Sequence, residues 1–270
     1  MLDIWLPLVG GLVLLIAGGD LLVRGAVQVA ERLGVSPLVI GLTLVGFGTS
    51  MPELVTSVQA ALGGSPGIAY GNIVGSNLAN ILLIVGISAI LFPIAVASSA
   101  LRRDAMVMLG VAVVFAGLAF VMPMTRVVGA VFVLALVGYI VMAFRQERAS
   151  TAHGAVHEKA AAFEGVAPAV IPGTPRRSGL VLPLLLSVGG LVMVILGGTF
   201  LVKGAVTLAQ SFGIPETVIG LTIVAIGTSM PELVTSVIAA IRRQSDVAFG
   251  NIVGSNIYNI LGIGGTTALI

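Results

Sequence analysis

Residues 33–91 align without a gap to residues 212–270, at a constant offset of 179, and 34 of the 59 positions are identical. Identity at that level between two segments of one chain marks a duplication. The likeness reaches upstream, where GGDLLVRGAV (18–27) matches GGTFLVKGAV (197–206). Whatever fold the chain adopts must use one unit twice.

Composition places both copies in a bilayer. Charged residues make up 9% of the 270 residues and apolar residues 57%, with a mean hydropathy of +1.15. A soluble domain carries roughly a quarter charged residues. Apolar runs longer than the roughly 20 residues needed to cross a membrane recur along the whole chain. They predict eight spans, at about 4–30, 37–62, 67–93, 104–122, 126–145, 180–210, 216–241 and 247–270. The polar stretch 146–178, rich in Ala, Pro, Gly and charge, reads as a linker. The expected division is a first half, 1–145, the linker, and a second half, 179–270.

Several functions are excluded early. Cysteine is absent, which removes disulfides, thiolate chemistry and cysteine metal sites. No basic face or aromatic platform supports nucleic-acid binding. No nucleophile–base pair is visible, and both histidines, His153 and His157, lie in the linker, so the chain does not read as an enzyme. No cofactor and no obligate protein partner is implied. Asp3 and the lack of a basic n-region make the first apolar run a span rather than a cleaved signal.

Five spans separate each repeated element from its copy. Five is odd, so the copies should cross the membrane in opposite directions, an inverted-repeat plan common among secondary transporters with a site near the midplane. With the N-terminus outside, 11 of the 13 basic residues fall on the cytoplasmic side, and only Arg126 and Lys203 fall outside. Basic residues favour the cytoplasm. The linker is therefore expected to be cytoplasmic and the membrane to be the cell's inner (plasma) membrane.

Two motifs carry the chemistry. GTSMPELVTS occurs at 48–57 and again at 227–236, mid-span both times. A carboxylate at the bilayer centre costs about 2.5–3.5 kcal/mol on insertion scales, so Glu53 and Glu232 are expensive. Pro52 and Pro231 lack an N–H and push Met51 and Met230 off helical angles. Each span should break there and free carbonyls near Gly46–Thr49 and Ala225–Thr228. Free carbonyls in a membrane need a partner, and a cation or water suits. Ser50-Met-Pro-Glu53 also matches a helix capping box with an early proline, and the same residues can cap and ligate.

The second motif, GNIVGSN, occurs at 71–77 and 250–256. Ser76 and Asn80 share a helix face, as do Ser255 and Asn259. Gly71 and Gly75 form a small-xxx-small pair that lets helices approach. Asn72, Asn77, Asn251 and Asn256 either line the site or bind freed backbone. Every donor here is an oxygen, the ligand set of a hard cation such as Ca²⁺ or Na⁺. Asp20 reads instead as a local ion pair with Arg24.

The paired GTSMPE and GNIVGSN motifs resemble the alpha-repeats of the sodium/calcium exchanger family, of prokaryotic type, within the cation/calcium antiporter superfamily. The resemblance covers nearly the whole chain. It implies an all-α polytopic membrane protein with two inverted halves of five helices each. It implies that Glu53 and Glu232 are central carboxylates for transported Ca²⁺ and Na⁺. Thr49, Ser50, Ser76 and Asn80 would line the site from one half, and Thr228, Ser229, Ser255 and Asn259 from the other. The Gly46 and Ala225 carbonyls would complete sodium sites. The first and sixth spans would slide across the core to alternate access. Both copies here carry Asn where some family members have Asp at the position of Asn259. Residues 98–145 have no second copy before Ile270, so a longer natural product, with about two more spans, is expected. The leading function is Na⁺/Ca²⁺ antiport. The alternatives are an H⁺-driven or other cation/Ca²⁺ antiporter, and a cation channel.

Overall fold

The computed structural model describes residues 2–64, 66–94, 101–121, 124–152, 179–213 and 225–270. Every regular element among them is helical. α1 runs Leu2–Leu33. α2, Pro37–Thr49, and α3, Met51–Leu62, form a pair bent by 45°. α4 spans Pro66–Leu91, α5 Arg102–Val121, α6 Arg126–Ala152 and α7 Val181–Ser211. The short α8, Ala225–Thr228, leads into α9, Met230–Ile241. α10 opens as Ser245–Ile257, widens into a π-helix over Tyr258–Gly264 and closes on Gly265–Leu269.

These helices fall on the segments expected to span. Among the described residues five are long and apolar enough to cross a membrane, and the bent α2–α3 pair makes a sixth span. The chain is a multi-pass membrane protein. α6 continues to Ala152, past the expected linker start at 146, and the rest of that linker, 153–178, lies outside the described residues. The start of the expected 216–241 span lies outside them too.

The duplication reappears in the helix stops. α1 ends on Gly34 at φ 66° and α7 on Gly213 at φ 72°, positions related by the repeat offset. Left-handed backbone there is cheap only for glycine. After α3 the same role falls to Gly64, φ 71°, but after α9 it falls to Arg243, φ 59°. Arg243 holds its guanidinium 5.5 Å from the centre of the Phe92 ring.

α1 and α7 pack antiparallel along most of their length through glycines spaced seven apart. A Cβ on Gly11 would lie 2.6 Å from the Leu201 backbone nitrogen, one on Gly18 2.9 Å from the Gly190 carbonyl, and one on Gly197 2.7 Å from the Leu15 nitrogen. Backbone thus meets backbone, as small residues permit between membrane helices. α10 approaches α2 the same way: a Cβ on Gly250 would lie 2.6 Å from the Leu38 carbonyl. Gly71 and Gly75, their copies on α4, meet nothing within 4 Å among the described residues.

α10 is the core helix. Val253, Ile257, Ile260, Leu261 and Ile263 pack with Leu38 and Leu42 of α2, Ile73 of α4, Phe115 of α5, and Phe132 and Leu136 of α6. The broad apolar surface of α1, α5, α6 and α7, with residues such as Leu6, Val113, Phe120, Val131 and Leu185 exposed, suits a lipid surround.

Candidate ion-binding site

Both proline-broken spans place a glutamate in the first turn after the break. α3 begins at Met51 with Pro52 in its first turn, and Glu53 follows; α9 begins at Met230 with Pro231 and Glu232. Glu53 and Glu232 are each 1% exposed.

The expected capping box does not form. Ser50 and Ser229 stand at the N-cap positions of α3 and α9, yet neither side chain caps its own helix. Each crosses to the other repeat instead. The Ser50 hydroxyl donates to Glu232 Oε1 at 2.7 Å, and the Ser229 hydroxyl donates to Glu53 Oε1 at 3.1 Å. With φ near −81° and ψ near 10°, Ser50 lacks the extended backbone that turns a capping side chain back onto its own helix. The two breaks therefore interlock into one cluster of hydroxyls and carboxylates.

The GNIVGSN residues close the cluster from α4 and α10. Ser76, Asn80, Ser255 and Asn259 are all buried. The Ser255 hydroxyl donates to the Gly46 carbonyl at 3.0 Å, and the Thr49 hydroxyl reaches the same carbonyl at 3.3 Å and Asn251 Oδ1 at 3.1 Å. The Gly46 carbonyl also accepts the Ser50 N–H at 3.3 Å. The carbonyl expected to be freed by the break is thus occupied by side-chain hydroxyls. Thr228 is only half-buried and lies beside Glu53. Ala225 opens α8, three residues before Thr228.

Several buried oxygens take no hydrogen bond from any described residue: Glu53 Oε2, Glu232 Oε2, Ser76 Oγ, Asn80 Oδ1, Asn256 Oδ1 and Asn259 Oδ1. Buried polar atoms without partners are rare in proteins. Asn80 Nδ2, Ser88 Oγ and Thr235 Oγ1 are likewise unpartnered among the described residues, so seven of nine such atoms lie on residues singled out from the two motifs and eight of the nine are oxygens, the donor type of a hard cation.

The four other asparagines of the motifs divide. Asn72 donates to the Glu53 carbonyl at 3.2 Å and to Ser57 Oγ at 2.9 Å; Asn251 donates to the Glu232 carbonyl at 3.2 Å and to Ser236 Oγ at 2.8 Å. Asn77 Oδ1 accepts from Asn259 at 3.2 Å, and Asn256 donates to the Ile252 carbonyl at 3.0 Å. The serines at 57 and 236 were not singled out from the sequence, although their place one turn after each glutamate was a usable signal.

Four π-helical stretches among the described residues also escaped sequence reading, and two of them carry site candidates. Asn80 lies in one, Ala79–Ile84, and Asn259 in the other, Tyr258–Gly264. Such widening recurs at functional sites, and nothing in the local sequence announces it. A buried cluster away from the site was missed as well. Asp104 is fully buried, held by Arg103 through two bonds of 2.9 and 2.8 Å, and accepts the Tyr139 hydroxyl at 3.2 Å. Asp20 pairs with Arg24 at 3.0 Å as expected, and additionally with Arg242 at the end of α9.

A family model described as "Sodium/calcium exchanger protein" matches residues 4–145 and 182–270. The putative antiporter CaxA of Alkalimonas amylolytica is 40% identical over 96% of this chain and 78% of its own length. The sodium/calcium exchanger MaX1 of Methanosarcina acetivorans is 37% identical over 98% of this chain and 82% of its own. A solved structure of the sodium-calcium exchanger NCX_Mj, soaked with 2.5 mM Na⁺ and 0.1 mM Ca²⁺, superposes with a TM-score of 0.81 at 32% identity, over 97% of this chain and 80% of that one. Matched by the family model along both halves and by relatives across nearly its whole length, the chain belongs to the sodium/calcium exchanger protein family, whose members are transporters rather than enzymes.

Proposed function

We propose that the chain exchanges Ca²⁺ for Na⁺ across the cell's inner membrane, by alternating access at a midplane site between its two inverted repeats. The observation that carries this reading is the cluster of unpartnered buried oxygens, with one carboxylate oxygen from each repeat. Glu53 and Glu232 give the cluster a formal charge of −2, since its other side chains are neutral Ser, Thr and Asn. One Ca²⁺ neutralises that charge, and so do two Na⁺. Ca²⁺ takes six to eight oxygens at about 2.3–2.6 Å, more than two carboxylates provide. Ser76, Asn80 and Asn259 supply further oxygens, and Thr49, Ser50, Thr228, Ser229, Ser255 and the Gly46 and Ala225 carbonyls line the remainder once their hydroxyls turn.

The chemistry follows from that set. Competition between Ca²⁺ and Na⁺ for the same −2 site couples the two fluxes provided that the site changes sides only when loaded, because an empty site would carry two uncompensated charges through the membrane. The broken spans hold the ligands near the bilayer midplane, where each access path is about half a membrane long. The basic-residue distribution supports an N-terminus outside and a cytoplasmic linker.

The deciding experiment is uptake of radiolabelled Ca²⁺ into proteoliposomes under an imposed Na⁺ gradient. Uptake should saturate, require Na⁺ on the opposite side, and survive collapse of the proton gradient. Loss with the proton gradient and indifference to Na⁺ would assign an H⁺-driven antiporter instead. Unsaturating flux with no counter-ion would assign a channel.

A further inference from the structure

We propose that Asn72 and Asn251 are positioning residues that set the axial register of α4 against α3 and of α10 against α9, and do not themselves hold an ion. This inference rests on the ion site proposed above.

The geometry is the same in both repeats. The two N–H bonds of the Asn72 amide are spent on Glu53 O, at 3.2 Å, and Ser57 Oγ, at 2.9 Å. Those of Asn251 are spent on Glu232 O, at 3.2 Å, and Ser236 Oγ, at 2.8 Å. Glu53 and Ser57 lie one turn apart on one face of α3, so the amide spans that turn like a staple. Ser57 and Ser236 are fully buried, as is Asn251. The remaining oxygen of Asn251 accepts the Thr49 hydroxyl at 3.1 Å.

The staple lies in line with the proposed ligands. Asn72, Ser76 and Asn80 fall at spacings of four, on one face of α4, as Asn251, Ser255 and Asn259 do on α10. Holding Asn72 level with the Glu53 carbonyl therefore fixes the height of Ser76 and Asn80 relative to the carboxylates. A slip of one residue along a helix moves its side chains by about 1.5 Å. Ca²⁺–oxygen bonds of about 2.3–2.6 Å do not survive such a slip. A side-chain staple suits this place because Pro52 and Pro231 interrupt the helical ladder just before each glutamate, so the position of that first turn is otherwise weakly determined.

The two roles separate by substitution. Asn72→Asp keeps the shape, loses both donors and adds a carboxylate. A direct ligand so changed would hold Ca²⁺ as well or better; a staple so changed fails. Ser57→Ala removes one anchor of the staple, whereas Ser57→Thr keeps the hydroxyl.

The test is Na⁺-driven Ca²⁺ uptake by the full chain in proteoliposomes, with KM for Ca²⁺ and for Na⁺ measured separately. Exchange by the unaltered chain, lost in Glu53→Gln and Glu232→Gln, establishes the site reading, and its absence would overturn that reading rather than this one. Given exchange, Asn72→Asp, Asn251→Asp and Ser57→Ala should each raise both KM values by about three- to tenfold, the scale of one or two lost hydrogen bonds. Ser57→Thr should stay near the unaltered value. In a double-mutant cycle the Asn72→Ala and Ser57→Ala effects should not add, because they remove one staple. A tighter Ca²⁺ KM in Asn72→Asp, or a shift in one ion alone, would overturn the proposal. If the Asn72 variants fail to fold, the serine pair decides it: equal KM in Ser57→Ala and Ser57→Thr would overturn it.

Discussion

Ser50 and Ser229 occupy the position from which a serine ordinarily caps its own helix, and each spends its hydroxyl on the glutamate of the opposite repeat. A hydrogen bond to a charged acceptor is worth about 1.5–3 kcal/mol, more than a cap of about 1 kcal/mol, so the crossed arrangement wins. It also leaves one oxygen of each carboxylate unpartnered. Replacing Glu53 or Glu232 with Gln keeps the volume and removes half the formal charge. Each variant should abolish Ca²⁺ uptake in proteoliposomes while the protein still elutes as a folded species; full uptake by both would refute the assigned site. Acidification acts in the same direction, because a proton on either glutamate removes the same charge. Uptake measured against external pH should therefore fall as the pH is lowered and recover on return. Asn80→Ala or Asn259→Ala removes a neutral oxygen only, and should weaken Na⁺ dependence more mildly than either Gln variant, read as the shift in the Na⁺ concentration that gives half-maximal uptake.

At the scale of elements the telling feature is the α1–α7 seam. Glycine in a helix interior costs about 0.5–1 kcal/mol relative to alanine, so runs of glycine at seven-residue spacing need a reason. The reason is contact of backbone with backbone: a Cβ on Gly18 would lie 2.7 Å from Met193 Cβ and 2.9 Å from the Val194 nitrogen. Gly18→Ala should therefore destabilise the protein by about 1–3 kcal/mol, the usual cost of overpacking. Gly189 sits in the same seam helix, but its Cβ would meet nothing within 4 Å among the described residues. Gly189→Ala should be neutral or stabilising by up to about 1 kcal/mol. Thermal unfolding of the two variants in detergent, compared with the unaltered chain, should move in opposite directions. The period of the glycines was legible in the sequence, whereas their partners were not. Nothing local says that Gly18 faces Gly190 rather than lipid.

For the whole molecule, the membrane-spanning helices and the repeat were legible because burial in a bilayer leaves long apolar runs, and a duplication keeps its offset. The proposed orientation is tested through the 146–178 linker. The chain has no cysteine, so a single Ala155→Cys variant reports one site only. It should resist impermeant thiol reagents in intact cells and react after permeabilisation; ready labelling from outside would reverse the orientation. Among the described residues α10 packs against α5 and α6, and Leu78 and Leu82 of α4, the copies of its Ile257 and Leu261, are exposed.

The sequence by itself determined that the chain is a bundle of membrane helices, that one unit is used twice, and that two glutamates sit at proline breaks mid-span. Each of these is a local fact, set by the length of an apolar run, the spacing of a motif, or the missing N–H of Pro52 and Pro231. Only the tertiary structure decided which partner each polar group takes. It gave Ser50 to Glu232 and Ser229 to Glu53, engaged the Gly46 carbonyl with Ser255, tied Asp20 to Arg242 as well as Arg24, and turned Asn72 and Asn251 toward the backbone of the glutamates. The physical reason is range: a hydrogen bond acts over about 3 Å, and the groups it joins here lie as many as 209 residues apart in the chain.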